Sequence, residues 1–286
     1  MRPAPPAAVR PRLRVDSTAK RLLFATVRVD TELEDGSRGS GTAFVVRHAY
    51  PGGSACYVVS NRHLVEGVRR GGLVFTRAED GEPRIGARVE LAIEDFAQAW
   101  FLHPDPAVDL ALVPLRPLEQ AAQAQGVRLY YSPIDTRLAL DAATAARLDA
   151  LEDVLFVGYP SGVWDQTNLM PILRRGTTAT PLALDFEGRP EFLVDAAVFP
   201  GSSGSPVFVH QPETAPAMHG VGRQIHFAGV VAAVFFRADS GLPVPAPVPA
   251  QHGGLAAATE MLDLGLVIKA DAVLGLLAAY LRQYPP

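Results

Sequence analysis

FPGSSGSPVF, residues 199–208, is the stretch on which the reading of this chain turns. Two apolar runs flank a turn of Gly and Ser, and Ser203 sits at its tip. A nucleophilic serine needs its hydroxyl held out from a tight turn, with backbone N–H groups converging where negative charge will develop. Gly201 has no side chain to shield its own amide and reaches backbone angles that aim it. Gly201 and Ser203 are therefore the candidate N–H pair of an oxyanion hole. The same residues also suit a plain hairpin turn, and the turn alone does not choose between the two.

Two other stretches supply partners. VVSNRHLVEG (58–67) places His63 directly after an apolar run, at the start of a polar turn, where a general base is reachable from a cleft. HPDPAVDLALVPL (103–115) opens a strongly apolar run with Asp109. An acid entering a buried strand is costly unless it is paired or hydrogen-bonded, and a histidine N–H is such a partner. Asp105, among prolines, is the weaker candidate, and the other six histidines stand in loop-like settings. The order His63, Asp109, Ser203 is one of the known orders for a Ser-His-Asp triad.

Around these motifs the chain reads as many short β-runs separated by Gly, Pro and Asp. They fall at 22–33, 41–47, 55–60, 86–93, 97–102 and 109–114, then at 127–132, 153–158, 171–179, 191–195, 205–209, 226–236 and 264–268. Such spacing suits sandwiches or closed barrels rather than βαβ units. Helical spacing is confined to 138–151 and 271–282, the second opening on Asp271 as an acidic cap.

Composition narrows the function classes. A formal net charge of −4 speaks against a binder that works by neutralising phosphates. Cys56 is the sole cysteine, which excludes an intrachain disulfide and a multi-cysteine metal site; its setting reads as a small buried hydrophobe. The leader is broken by Pro and Arg, and no stretch reaches the roughly 18 apolar residues of a membrane span. No metal, cofactor, nucleic acid or membrane is expected as a partner, and a cytoplasmic location is.

The motifs resemble those of trypsin-like serine peptidases, most closely the HtrA/Deg-type protease domain without its PDZ module. The matching pieces are GSGTAFVV (39–46), YVVSNRHLVEG (57–67), DLALVPL (109–115), VLFVGYPSG (154–162), DAAVFPGSSGSPVF (195–208) and GLVIKADAV (265–273). The resemblance implies an all-β fold of two six-stranded antiparallel barrels, an active site in the cleft between them, and a C-terminal helix. That divides the chain into a disordered Pro/Arg-rich leader (1–18), an N-terminal barrel (19–120) with His63 and Asp109, and a connector with a helix (121–152). A C-terminal barrel (153–270) with Ser203 and a flexible loop (238–257) follows, then the helix (271–286).

The implied activity is a serine endopeptidase working through an acyl-enzyme on a protein or peptide. The alternatives are a protease-fold module that binds peptides without cutting them, and an esterase. By analogy substrate would pair as a strand with Val230, Val231, Ala232 and Ala233, and the specificity pocket would be walled by Ala196, Ala197, Val198 and Phe199 with Val231 to Ala233. With Ala197 at its expected base the pocket carries no charge, which predicts a preference for small or medium apolar residues before the scissile bond. Two departures stand out. Ser205 replaces the usual second Gly and could crowd the substrate backbone. Ser202 replaces the Asp that secreted relatives use to bind a new N-terminus, so activation is expected to need an activating partner protein acting on the leader or on the 238–257 loop.

Overall fold

Alternating apolar residues along the β-runs give two β-systems, antiparallel except for the short parallel pairing of residues 46–47 with 134–135, each wrapped round its own core. The structure, a computed structural model, describes residues 13–160, 164–199, 201–211, 224–237, 243–246 and 260–286. The first system contains β1 (Thr26–Leu33), β2 (Arg38–Tyr50), β3 (Gly53–Ser60), β4 (Val68–Glu79), β5 (Glu82–Ile93), β6 (Phe101–Leu102), β7 (Ala111–Pro114), β8 (Leu129–Tyr130) and β9 (Ile134–Asp135). The second contains β10 (Asp153–Gly158), β11 (Ile172–Thr178), β12 (Glu191–Asp195), β13 (Pro206–Gln211), β14 (Gln224–Arg237), β15 (Pro243–Ala246) and β16 (Glu260–Lys269). The helices are α1 (Thr18–Leu23), α2 (Phe96–Ala99), α3 (Leu115–Ala124), α4 (Ala142–Ala145) and α5 (Ala270–Gln283).

In the first sheet the order is β5-β4-β1-β2-β3-β7-β6, with β8 beside β4 and β9 beside β2. Its filling includes Val27, Val45, Val58, Leu73, Phe75 and Leu91, with Phe96 and Trp100 in edge-to-face contact. The second sheet runs β13-β10-β11-β12-β16-β14, and β14 pairs back to β13, closing a six-stranded barrel. Phe156, Phe192, Val194, Val207 and Val267 fill it. This is the chymotrypsin-type all-β fold with a C-terminal helix.

A third apolar cluster joins the halves. Phe44, Val59 and Leu112 of the first meet Phe208, Phe227 and Val230 of the second, and α5 covers them with Ala270, Val273, Leu276 and Leu277. Leu276 and Leu277 are fully buried, each contributing roughly 1.5–3 kcal/mol by leaving water. Tyr280 stacks edge-on against Tyr57 and Phe101 of the first half. Helix α5 begins one residue before Asp271, with Lys269 as its cap, so Asp271 lies in the first turn, where a carboxylate suits the helix dipole.

The helix expected over 138–151 is not there. Ala139 bridges to Phe227 and Leu140 donates its N–H to Phe227 O at 2.8 Å, which ties this end to β14. Only Ala142–Ala145 turns helical, capped by the Asp141 side chain. A ten-residue helix instead follows β7 directly, burying Leu115, Leu118 and Ala122. Of the loop expected over 238–257 only β15 is described, paired to the end of β14; the rest, and leader residues 1–12, lie outside the described residues. No helix among the described residues is long and apolar enough to cross a membrane.

Candidate active site

Strand β3 ends at Ser60, and the chain turns through a short 3-10 segment, Arg62–Leu64, that carries His63. Asp109 lies just before β7, the neighbour of β3 in the sheet. Adjacent strands thus bring the two motifs together. His63 Nδ1 is 2.6 Å from Asp109 Oδ2, and the His63 backbone N–H donates to Asp109 Oδ1 at 2.8 Å. A carboxylate only accepts, so Nδ1 carries the proton of this bond. Asn61, fully buried, donates from Nδ2 to Asp109 O at 2.9 Å and fixes the backbone of the acid. Asp105 is exposed and caps its own turn by accepting from the Ala107 N–H at 2.9 Å.

Ser203 lies between β12 and β13 of the second half and is 3% exposed. Its hydroxyl donates to Ala232 O at 3.3 Å and not to His63. His63 Nε2 is shielded from solvent and makes no hydrogen bond among the described residues. The structure therefore joins His63 to Asp109 and leaves the Ser203–His63 bond unmade.

The serine turn is clamped to the first half by Thr42 of β2. Thr42 Oγ1 donates to Gly201 O at 3.0 Å and accepts from the Tyr159 N–H at 3.0 Å. The Thr42 N–H donates to Ser203 O at 3.0 Å, and Thr42 O accepts from Ser60 Oγ at 2.7 Å. Ser60 stands at the strand end that leads to His63, so the serine turn and the histidine turn share one hydrogen-bonded frame. Gly204, at φ 82°, passes so close to Thr42 O that a Cβ would overlap it. Gly201 has φ 83°, the left-handed backbone that glycine adopts without strain.

The remaining candidates divide by burial. Val198, Val230 and Val231 have their side chains in the packed clusters. Val231 also spends its backbone on the serine turn, donating to Ser205 O at 2.9 Å and accepting from the Gly204 N–H at 2.8 Å. Ala232 and Ala233 sit on β14 between the ladder to β13, which ends at Val230, and the ladder to β15, which starts at Val234. Ala196 is buried, whereas Ala197 and Phe199 are exposed, with Phe199 at 37%. Ser205 is 1% exposed, and a Cβ on Gly158 would overlap its Oγ. Its hydroxyl thus faces Gly158 inside the protein and does not crowd the cleft. Cys56 is half-buried, and burial pushes its thiol pKa up.

Motif reading missed Thr42 and Asn61, which hold the serine turn and the acid in place. Thr42 is a lone hydroxyl in the apolar run TAFVV (42–46), and Asn61 directly precedes the histidine turn; both are visible as polar residues in buried settings.

A closed six-stranded barrel docked on a nine-stranded sheet, with a histidine–aspartate pair in one half and a glycine-flanked serine turn from the other clamped against it, is consistent with the chymotrypsin class. A family model of the trypsin-like peptidase domain matches residues 41–213, more than half of the chain. The chain belongs to that trypsin-like peptidase family. Solved structures resembling it include an HtrA-type protease with a tripeptide, at 15% identity and a TM-score of 0.44, covering 95% of this chain and 63% of that one. The active form of an M. tuberculosis protease is 16% identical with a TM-score of 0.45, covering 97% and 92% of the two chains. A thermostable serine protease from an extremophilic microorganism is 16% identical with a TM-score of 0.45, covering 90% and 97%. This chain thus spans less than two thirds of the HtrA-type protease's length. Comparison with curated proteins gives no match.

Proposed function

We propose that this chain is a serine endopeptidase with His63, Asp109 and Ser203 as its triad. One observation carries the reading: Asp109 holds both the Nδ1 and the backbone N–H of His63, which fixes the ring and leaves Nε2 as its unengaged nitrogen, shielded from solvent. In the first step Ser203 Oγ turns from Ala232 O to His63 Nε2, which takes its proton as the oxygen attacks the substrate carbonyl. The rotation frees Ala232 O to accept an N–H of the substrate backbone, and the N–H groups of Gly201 and Ser203 receive the oxyanion. His63 then returns the proton to the leaving amine, and water hydrolyses the acyl-enzyme by the reverse path.

The exposed, uncharged Ala197 and Phe199 support a preference for small or medium apolar residues before the scissile bond; Ala232 and Ala233 are buried in the packed clusters. Substrate pairing as an added strand is proposed at Ala232–Ala233, on the edge of β14 between its ladders to β13 and β15; the other edge is taken by β16.

A second reading, a peptide-binding module that does not cut, is favoured by the Ser203–Ala232 bond standing in place of a Ser203–His63 bond. A fluorophosphonate probe separates them. Labelling of the wild type, abolished in both Ser203→Ala and His63→Ala, is expected of the peptidase; equal labelling of His63→Ala would leave Ser203 without a base and refute the triad.

A further inference from the structure

The segment from Phe199 to Ser203 is held from two sides. From the first half Thr42 grips Gly201 O and Ser203 O, as described above. From the second half the contacts come from Arg174 of β11, which lies directly opposite Phe156 in the β10–β11 ladder. The Arg174 guanidinium sits 5.0 Å from the centre of the Phe156 ring and 4.9 Å from that of Phe199. Its Nη1 donates to Ser202 Oγ at 3.4 Å, the long end of the hydrogen-bond range. Ser202 Oγ also accepts from the Phe199 N–H at 3.3 Å, and the Ser202 N–H donates to Phe199 O at 2.9 Å. Guanidinium, ring and hydroxyl thus form one cluster on the residues immediately before the nucleophile.

Arg174 forms no ion pair among the described residues, and Asp263 is the carboxylate that acts on it from a distance, opposing a burial that lowers its pKa. A half-buried cation without a carboxylate is expensive unless aromatic faces and acceptors replace water. Those replacements here all belong to the barrel wall or to the turn. Ser202 is uncharged, so the charge on this turn comes from Arg174.

We propose that Arg174 is a positioning residue that ties the Phe199–Ser203 turn to the barrel wall and keeps the Gly201 and Ser203 N–H groups aimed for catalysis. The role rests on the reading of Ser203 as nucleophile. Arg174 touches neither substrate nor reacting atoms; it acts through Ser202 and Phe199.

The test compares Arg174→Met, which keeps an apolar stem but no donor or charge, with Arg174→Lys and Ser203→Ala in the full chain. Amide hydrogen exchange of residues 199–204 reads the turn whether or not the protein hydrolyses anything. In Arg174→Met it is expected to rise at least about tenfold, with the barrels unchanged. Fluorophosphonate labelling and kcat should fall on the order of 10²-fold, as for a misplaced oxyanion donor, with KM little changed. Added methylguanidinium should restore part of the Arg174→Met loss, and Arg174→Lys should fall in between.

Wild-type exchange at 199–204 in Arg174→Met overturns the proposal, and so does an effect on KM alone. Protection lost throughout the protein in both Arg174 variants makes Arg174 merely structural and overturns it too. A wild-type preference for Asp or Glu before the scissile bond that vanishes in Arg174→Met would make Arg174 a pocket residue, also against it. If the wild type takes no label yet the turn loosens as expected in Arg174→Met, the holding role stands and the peptidase reading fails.

Discussion

Replacing Thr42 by Val tests whether the two halves of the site share one frame. Val has nearly the shape of Thr and stays in the fully buried position, but it can neither donate to Gly201 O nor accept from the Tyr159 N–H. Each buried polar group left without a partner costs about 1–3 kcal/mol, and the methyl that replaces the hydroxyl returns about 0.8 kcal/mol. The expected loss is therefore about 1–5 kcal/mol, a large share of a typical stability of about 5–15 kcal/mol. With an m-value of about 3 kcal/mol/M, the urea midpoint should fall by about 1 M. Fluorescence of Trp100 and Trp164 reports the transition. Thr42→Ser keeps the hydroxyl and should lose only about 1 kcal/mol for the missing methyl. Because the lost bond releases Gly201, Thr42→Val should also slow fluorophosphonate labelling under conditions where it is fully folded. If Thr42→Val and Thr42→Ser agree within about 0.5 kcal/mol and label alike, the frame described here is wrong.

Three further outcomes are expected. Gly204→Ala forces an L-residue to φ 82° and drives its Cβ into Thr42 O, so a loss of at least about 3 kcal/mol in thermal unfolding is expected, and wild-type melting would contradict it. Ser205→Ala removes a buried hydroxyl that has no partner among the described residues; it should raise stability by up to about 1 kcal/mol and leave turnover within about twofold, whereas a strong gain in kcat would place Ser205 in the cleft after all. The Arg137 side chain, aided by its backbone N–H, holds the Asp135 carboxyl down to about 2. The folded protein therefore keeps this group ionised where the unfolded chain, near 3.9, protonates it, so its contribution is complete above about pH 4 and is lost as pH falls toward 2. Asp135→Asn should flatten the melting temperature in that window, and an unchanged acid limb would count against the pairing.

What could be read from residues and what could not follows the range of the interactions. The serine turn, the histidine turn and the acid before an apolar strand each announce themselves within about ten residues, because turn chemistry and burial of charge are local. Strand β4 escaped notice since Arg69, Arg70, Gly71 and Gly72 break the alternation that marks a half-buried strand. Helix α3 hid behind Pro114 and Pro117, although a proline is tolerated in a first turn. The Leu/Ala spacing of 138–151 pointed to a helix, and long-range pairing with Phe227 overrode it. Thr42 reaches Gly201 across 159 positions. Arg174 meets Ser202 across 28. No periodicity in the chain encodes such meetings; only the closure of the second barrel and its docking on the first create them.

Helix α5 leaves the last strand of the second half and beds its apolar side in the seam where both halves meet, with Tyr280 reaching rings of the first. A hinge opening of the cleft would have to strip Leu276 and Leu277 from that seam, at a cost of several kcal/mol in exposed apolar surface. A substrate of the proposed peptidase would have to enter without the two halves parting. The helix thereby couples the half that carries the His63–Asp109 pair to the half that carries Ser203, although it touches none of the three.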